Sequence, residues 1–183
     1  VGTRYPQLKA MPGQKLDKLY FLAAKTPGRA LAREALRTIA APHAAAPGTA
    51  GARDAGAAAE AAVAPPRRAP LRVLELVARD KACEHPAKAC HGDSCPLARG
   101  FYDRLPAARL AAVDAAAGAR PHLDRAGLRA IALAHEVCPY YLAQEMVRWA
   151  DVVVGDYNYY FDLGGMLHGM AQANDWRVGV LVD

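Results

Sequence analysis

Four cysteines are the whole thiol complement of this 183-residue chain, and their spacing is uneven. Six residues separate Cys83 from Cys90, four separate Cys90 from Cys95, and 42 separate Cys95 from Cys138. Four thiolates can hold either a structural zinc ion or an iron-sulfur cluster. Zinc sites usually show two tight pairs, whereas three clustered thiols with one distant partner favour iron-sulfur ligation. Cys138 stands directly before Pro139, a residue suited to the first turn of a helix, so its sulfur is expected at a helix N-terminus. There the helix dipole and unpaired backbone donors favour a thiolate. His85 and His91 flank the cysteines and could substitute in a zinc site, or be ordinary surface histidines. The plain alternative is four buried cysteines with no metal. Disulfides are the weaker reading, because VGTRYPQLKA lacks a secretory leader and the length suffices for a core.

The elements that must position these thiols alternate between strand and helix. Residues 2–11 read as the remainder of a helix stopped by Met11-Pro12-Gly13. Lys18 to Ala24 (KLYFLAA) is a short apolar run suited to a buried parallel strand, and Thr26-Pro27-Gly28 opens a helix to about Ile39. Residues 40–66 are almost entirely Ala, Gly and Pro and read as an insertion or linker, with one nascent helix around 55–63. Leu71 to Val77 (LRVLELV) suits a strand covered on both faces, although Glu75 interrupts the pattern. Helices are expected at 106–117, from Asp124 to about His135, and from Pro139 to Trp149. Asp151 to Val154 and Arg177 to Val182 are further strands, flanking a helical stretch near 162–174. The fold class is therefore α/β: a partial parallel sheet interrupted by a mainly helical insert that carries the cysteines.

Apolar residues make up 53% of the chain and charged residues 22%, enough for one packed domain with an insert and too little for two. No run of about 18 apolar residues occurs, so no membrane partner is expected, and a cytoplasmic location is the default. The net charge of +5 is unevenly spread. Residues 1–41 carry eight Lys or Arg against two acids, whereas residues 105–183 carry six against nine. A basic front could face nucleic-acid phosphates, or be a solvated helix face.

Three blocks then become recognisable: ARDKACEHPAKACHGDSCPLARGFYDRLPAAR (78–109), AHEVCPYYLAQEMVRWADVVVGDYNYYFD (134–162) and WRVGVLVD (176–183). Together they closely resemble the XPD/DinG-type iron-sulfur DNA helicases, DEAH-type motors of superfamily two. The basic residue four before the first cysteine, the Cys-Pro-Tyr triplet, the apolar strand leading into Asp-Tyr-Asn-Tyr and the final apolar strand ending in Asp follow the family's order. The resemblance covers most of the chain apart from the Ala-rich stretch.

The resemblance implies that Cys83, Cys90, Cys95 and Cys138 ligate a 4Fe-4S cluster, with Arg79 beside the first ligand. It implies that Lys25 and Thr26, in LAAKTPGR, contact the DNA backbone, and that Tyr157, Asn158 and Tyr159 lie in a DNA-facing loop, where core packing is an equally good account of the tyrosines. Asp183 resembles the Walker B carboxylate that orients Mg²⁺ at ATP. No G-x-x-x-x-G-K-S/T loop occurs here, so this chain is expected to be an inactive fragment of a first RecA-like motor domain. Its expected parts are 1–77 and 151–183 as motor and 78–150 as the iron-sulfur domain. The parent would be an ATP-dependent 5′–3′ DNA helicase of repair or replication, acting on single-stranded, fork or overhang DNA. The rival is a zinc- or iron-sulfur-containing nucleic-acid-binding module with no motor.

Overall fold

The computed structural model describes residues 16–40, 71–87, 90–117 and 122–183. The expected helix at 2–11, and the Ala-rich stretch beyond Ala40 with its nascent helix, lie outside the described residues.

Five parallel strands form one sheet: β1 (Lys18–Leu22), β2 (Val73–Glu75), β3 (His122–Leu123), β4 (Val152–Gly155) and β5 (Val178–Val182), in the order β3-β2-β4-β1-β5. Every residue of β1 and β4 is buried, which is why both read as continuous apolar runs rather than alternating ones. Alternation still assigns the two faces. Tyr20, Leu22, Leu74 and Val153 enter one core, while Leu19, Phe21, Val73, Val152 and Val154 enter the other.

The second, smaller core is closed by α1 (Thr26–Ala40), which lays Ala32 and Leu36 on the sheet. The larger core is closed by α3 (Phe101–Ala117), α4 (Arg125–Ala134), α5 (Pro139–Met146) and α7 (Met166–Ala173), while two four-residue helices, α2 (Arg79–Ala82) and α6 (Asn158–Phe161), bracket its rim. Leu105, Leu128, Leu142 and Leu167 from these four long helices share one cluster with the strands. The helices that follow the first three cysteines, including the one that Cys138 opens, are thus a layer of the sheet's own core. A fully buried Leu contributes roughly 1.5–3 kcal/mol of transfer free energy, so this shared face welds insert to sheet.

Several boundaries differ from those the sequence suggests. The helix expected from Pro106 begins five residues earlier, at Phe101, because Gly100 adopts a left-handed φ of 64° and turns the chain into it. The helix expected to reach Trp149 ends at Met146, where the amides of Val147, Arg148 and Trp149 each bond three residues back and tighten the last turn. Asp124 caps α4 as expected, its carboxylate accepting from the Gly127 amide at 2.9 Å. The strand β3 has no counterpart among the expected elements, since two residues carry no period.

At the amino edge of the sheet, Lys18 is 6% exposed and donates to the carbonyls of Arg148 (2.8 Å) and Ala150 (2.7 Å), with its ammonium 4.5 Å from the Trp176 ring. Beside it, Arg72 grips Asp151 through its backbone amide and both sides of its guanidinium, at 2.8 to 3.2 Å. Burial pushes the Asp151 carboxyl upward, but the Arg72 hydrogen bonds and charge outweigh it and hold the group below the usual aspartate value. Burial, then the charges of Arg37 and Arg33, likewise hold His122 below the usual histidine value.

Both shifts leave the unfolded chain binding more protons, so stability falls as pH falls. The His122 contribution is lost first, as pH drops below 6.5, its unperturbed value, and the Asp151 contribution below 3.8. Thermal melts across this range should show His122→Gln flattening the upper step while leaving the lower one. An upper step unchanged by that substitution would locate the titration elsewhere.

Candidate nucleic-acid interface

The carboxyl ends of the strands, where open α/β sheets meet ligands, carry most of the residues singled out from sequence. Lys25 lies in the turn from β1 into α1, which Thr26 opens, Tyr157 to Tyr159 follow β4, and Asp183 directly follows β5. Because β1 lies between β4 and β5, the loop bearing Lys25 and Thr26 is flanked by the other two. A cavity of about 450 Å³ opens here, with Thr26, Arg29, Asp156 and Asn158 on the sheet side and Arg79 and Lys81 on the side of the cysteine segment. Arg79 and Lys81 are exposed.

Asp183 closes against the start of α1. A Cβ built at Gly28 would lie 2.9 Å from an Asp183 carboxylate oxygen, so glycine is what admits this approach. Asp183 is held by its amide, which donates to the Leu22 carbonyl at 3.0 Å.

The three residues after β4 divide in role. Tyr157 is exposed and Asn158 lines the cavity, its amide donating to Asp156 Oδ1 at 3.1 Å. Tyr159 packs on the larger core and its hydroxyl donates to the Val77 carbonyl at 3.0 Å. Burial drives its phenol well above the usual tyrosine value. Tyr159 therefore ties the loop after β4 to the strand end that feeds the cysteine segment.

Sequence reasoning misses several organising residues. Glu75, in sequence only an interruption of an apolar strand, accepts from Arg33 of α1 and, at 3.1 Å, from the Arg125 amide at the start of α4. Arg125 in turn donates to the Lys81 carbonyl at 2.6 Å, and Arg129 forks onto Glu84 at 2.7 and 2.8 Å. Arg104 bridges two cysteine-bearing segments, donating to the Pro96 carbonyl (3.2 Å) next to Cys95 and the Glu136 carbonyl (3.0 Å) two residues before Cys138. An isolated charge inside an apolar strand is the available signal for Glu75; nothing in the spacing marks Arg104. Arg29 and Asp156 form a further pair across the sheet edge.

None of the four cysteines forms a disulfide; Cys95 and Cys138 are buried and the other two partly so. Cys138 N-caps α5 with Pro139 next, as expected. Its thiol behaves otherwise than the helix position suggests. Burial pushes it above the ordinary cysteine value, and the amides of Tyr141 and Tyr140 lower it too little to compensate, while the charges of Cys83 and Cys90 add to the rise. Cys83 and Cys90 thus lie within electrostatic reach of Cys138. Among the described residues, however, no three His, Cys, Asp or Glu side chains stand together as a metal-holding group. Thiols are the donor type a thiolate-ligated group would need, and Arg104 fixes the segments beside Cys95 and Cys138.

A five-stranded parallel sheet with helices on both faces and loop residues converging at its carboxyl edge defines an α/β domain of partial RecA-like type. Residues 68–166, more than half of the chain, match the DEAD_2 family, and the chain belongs to it. It is a member of the DEAD/DEAH-type helicase families, with a helicase-type, nucleic-acid-related function. None of the curated proteins matches the chain. Among the described residues no helix is long and apolar enough to cross a membrane.

Proposed function

We propose that this chain is part of the first motor domain of an XPD/DinG-type DNA helicase, moving 5′ to 3′ on single-stranded DNA at the expense of ATP in repair or replication. The observation that carries this reading is the cavity at the carboxyl edge of the sheet, walled by the β1–α1 and post-β4 loops on one side and by Arg79 and Lys81 on the other. A backbone-tracking groove needs cations on a rigid frame; the post-β4 loop packs on the larger core through Tyr159, α1 packs on the smaller one, and the Arg79–Lys81 wall is tied to α4 by the Arg125 bond to the Lys81 carbonyl. Lys25 and Thr26 bind the strand from the sheet side and Arg79 and Lys81 from the opposite side. Exposed Tyr157 offers a stacking face, and Asn158 a polar contact. Asp183 supplies the carboxylate for Mg²⁺ at ATP.

In the same reading Cys83, Cys90, Cys95 and Cys138 hold a 4Fe-4S cluster, whose tetrathiolate ligation would pin the segment carrying Arg79 and Lys81. Fork and overhang DNA would meet the chain at this wall. The non-motor alternative, a zinc- or iron-sulfur-containing binding module, uses the same groove and differs in having no ATP-driven step.

The test is a salt titration of single-stranded oligonucleotide binding, followed by fluorescence anisotropy, on the chain reconstituted with iron and sulfide. Arg79→Ala with Lys81→Ala should weaken binding and flatten the dependence of log affinity on log salt by about 1.4, or 0.7 for each phosphate no longer neutralised. Cys90→Ser should lose the bound iron and sulfide by elemental analysis. An unchanged salt slope in the double variant would remove the groove as the binding path, and undiminished iron and sulfide in Cys90→Ser would remove that ligand.

A further inference from the structure

We propose that Arg29 is a positioning residue that, through Asp156, locks the loop carrying Lys25 and Thr26 to the loop carrying Asn158. The inference rests on reading the sheet-edge cavity as a single-strand path, and goes beyond it by assigning what fixes one of its walls. The Arg29 side chain is 13% exposed, and its guanidinium is committed to three protein acceptors. Its NH1 donates to the Ala23 carbonyl at 2.9 Å and to Asp156 Oδ2 at 3.3 Å, and its NH2 donates to Thr26 Oγ1 at 3.2 Å. The other Asp156 oxygen accepts from the Asn158 amide at 3.1 Å.

One guanidinium and one carboxylate therefore join the end of β1, the Thr26 hydroxyl and the start of α6. A lysine could satisfy only part of this set, because its ammonium is a point donor rather than a planar fork. Arg29 lines the cavity, yet NH1 and NH2 donate to protein acceptors, so its contribution is to hold Thr26 and Asn158 at a fixed separation before the strand arrives.

Charge and positioning predict opposite signs for one substitution. Asp156→Asn removes a negative charge beside the phosphate path, so electrostatics alone would tighten single-strand binding. If Asp156 serves the lock, the same substitution should weaken binding about three- to tenfold, the equivalent of one or two side chains ordered on association instead of beforehand. Arg29→Lys, which keeps the charge, should weaken it similarly, and the double variant should be no worse than either single one. The salt slope should stay at the wild-type value in all three, since every phosphate-neutralising cation is kept.

The measurement is oligonucleotide anisotropy against salt on the whole chain, with thermal melts alongside, and Arg29→Lys serves as the second variant should Asp156→Asn lose its fold. Equal or tighter binding by Asp156→Asn, or a slope about 0.7 shallower in Arg29→Lys, overturns the proposal. A wild-type chain that binds no oligonucleotide overturns the single-strand reading itself, an outcome distinct from the other two.

Discussion

Leu142→Ala should destabilise the chain by about 2–5 kcal/mol, a large share of the roughly 5–15 kcal/mol that holds a typical domain together. Leu142 has no exposed surface and sits in α5, which packs on α2, α3, α4 and β2. Its amide donates to the Cys138 carbonyl at 2.9 Å, so it lies one turn below the N-cap cysteine. Truncation would leave a cavity where insert and sheet meet, with neighbours on several elements and little freedom to collapse. Chemical denaturation should show one cooperative transition moved to lower midpoint with an unchanged slope. Leu163→Ala, at a side chain open to solvent, should fall within about 0.5 kcal/mol of wild type. Two separate transitions in Leu142→Ala would mean that the cysteine layer folds apart from the sheet, against the continuity of the core.

That continuity is also where sequence and structure part. The strands are legible because burial on both faces makes LYFL and VVV unbroken apolar runs, and the Asp124 and Cys138 caps are legible because capping is chemistry confined to a few residues. Order within the sheet is not. Nothing local to Lys18–Leu22 says that it will lie between β4 and β5, and that placement is what brings Lys25, Asn158 and Asp183 to one edge. The same holds for partners distant in sequence. Arg29 and Asp156 are 127 residues apart, and Glu75 and Arg125 are 50 apart, so their pairing is a property of the assembled sheet. Cys138 shows a subtler limit, because its helix position is plain in the Cys-Pro pair but the burial that dominates its thiol is tertiary. Individual residues at the site are visible in the sequence, and the hydrogen bonds that fix them are not.

Gly165→Ala and Gly169→Ala, four residues apart, should move stability in opposite directions. A Cβ at Gly165 would stand 2.5 Å from the Tyr160 carbonyl oxygen, 2.8 Å from its carbon and 3.0 Å from the Asp162 oxygen. All three are backbone atoms, so no side-chain rotation relieves the overlap and the turn from α6 into α7 must open. The φ of −52° at Gly165 is ordinary, which makes close approach rather than conformation the reason for glycine there. Overpacking of this kind costs about 1–3 kcal/mol, and more where the neighbour is main chain. At Gly169, inside α7, a Cβ meets nothing within 4 Å. Alanine there should gain about 0.5–1 kcal/mol through the lower backbone entropy of the unfolded chain. The first substitution reaches the groove as well, because Asn158 and Asp162 line it and Tyr160, whose ring centroid is 5.9 Å from that of Tyr20, anchors the turn between them. Gly165→Ala should therefore lower both the melting temperature and single-strand affinity, whereas Gly169→Ala should raise the first and leave the second alone. Equal melting temperatures for the two variants would show that the turn yields freely, and the post-β4 wall would then not be the rigid half of the groove.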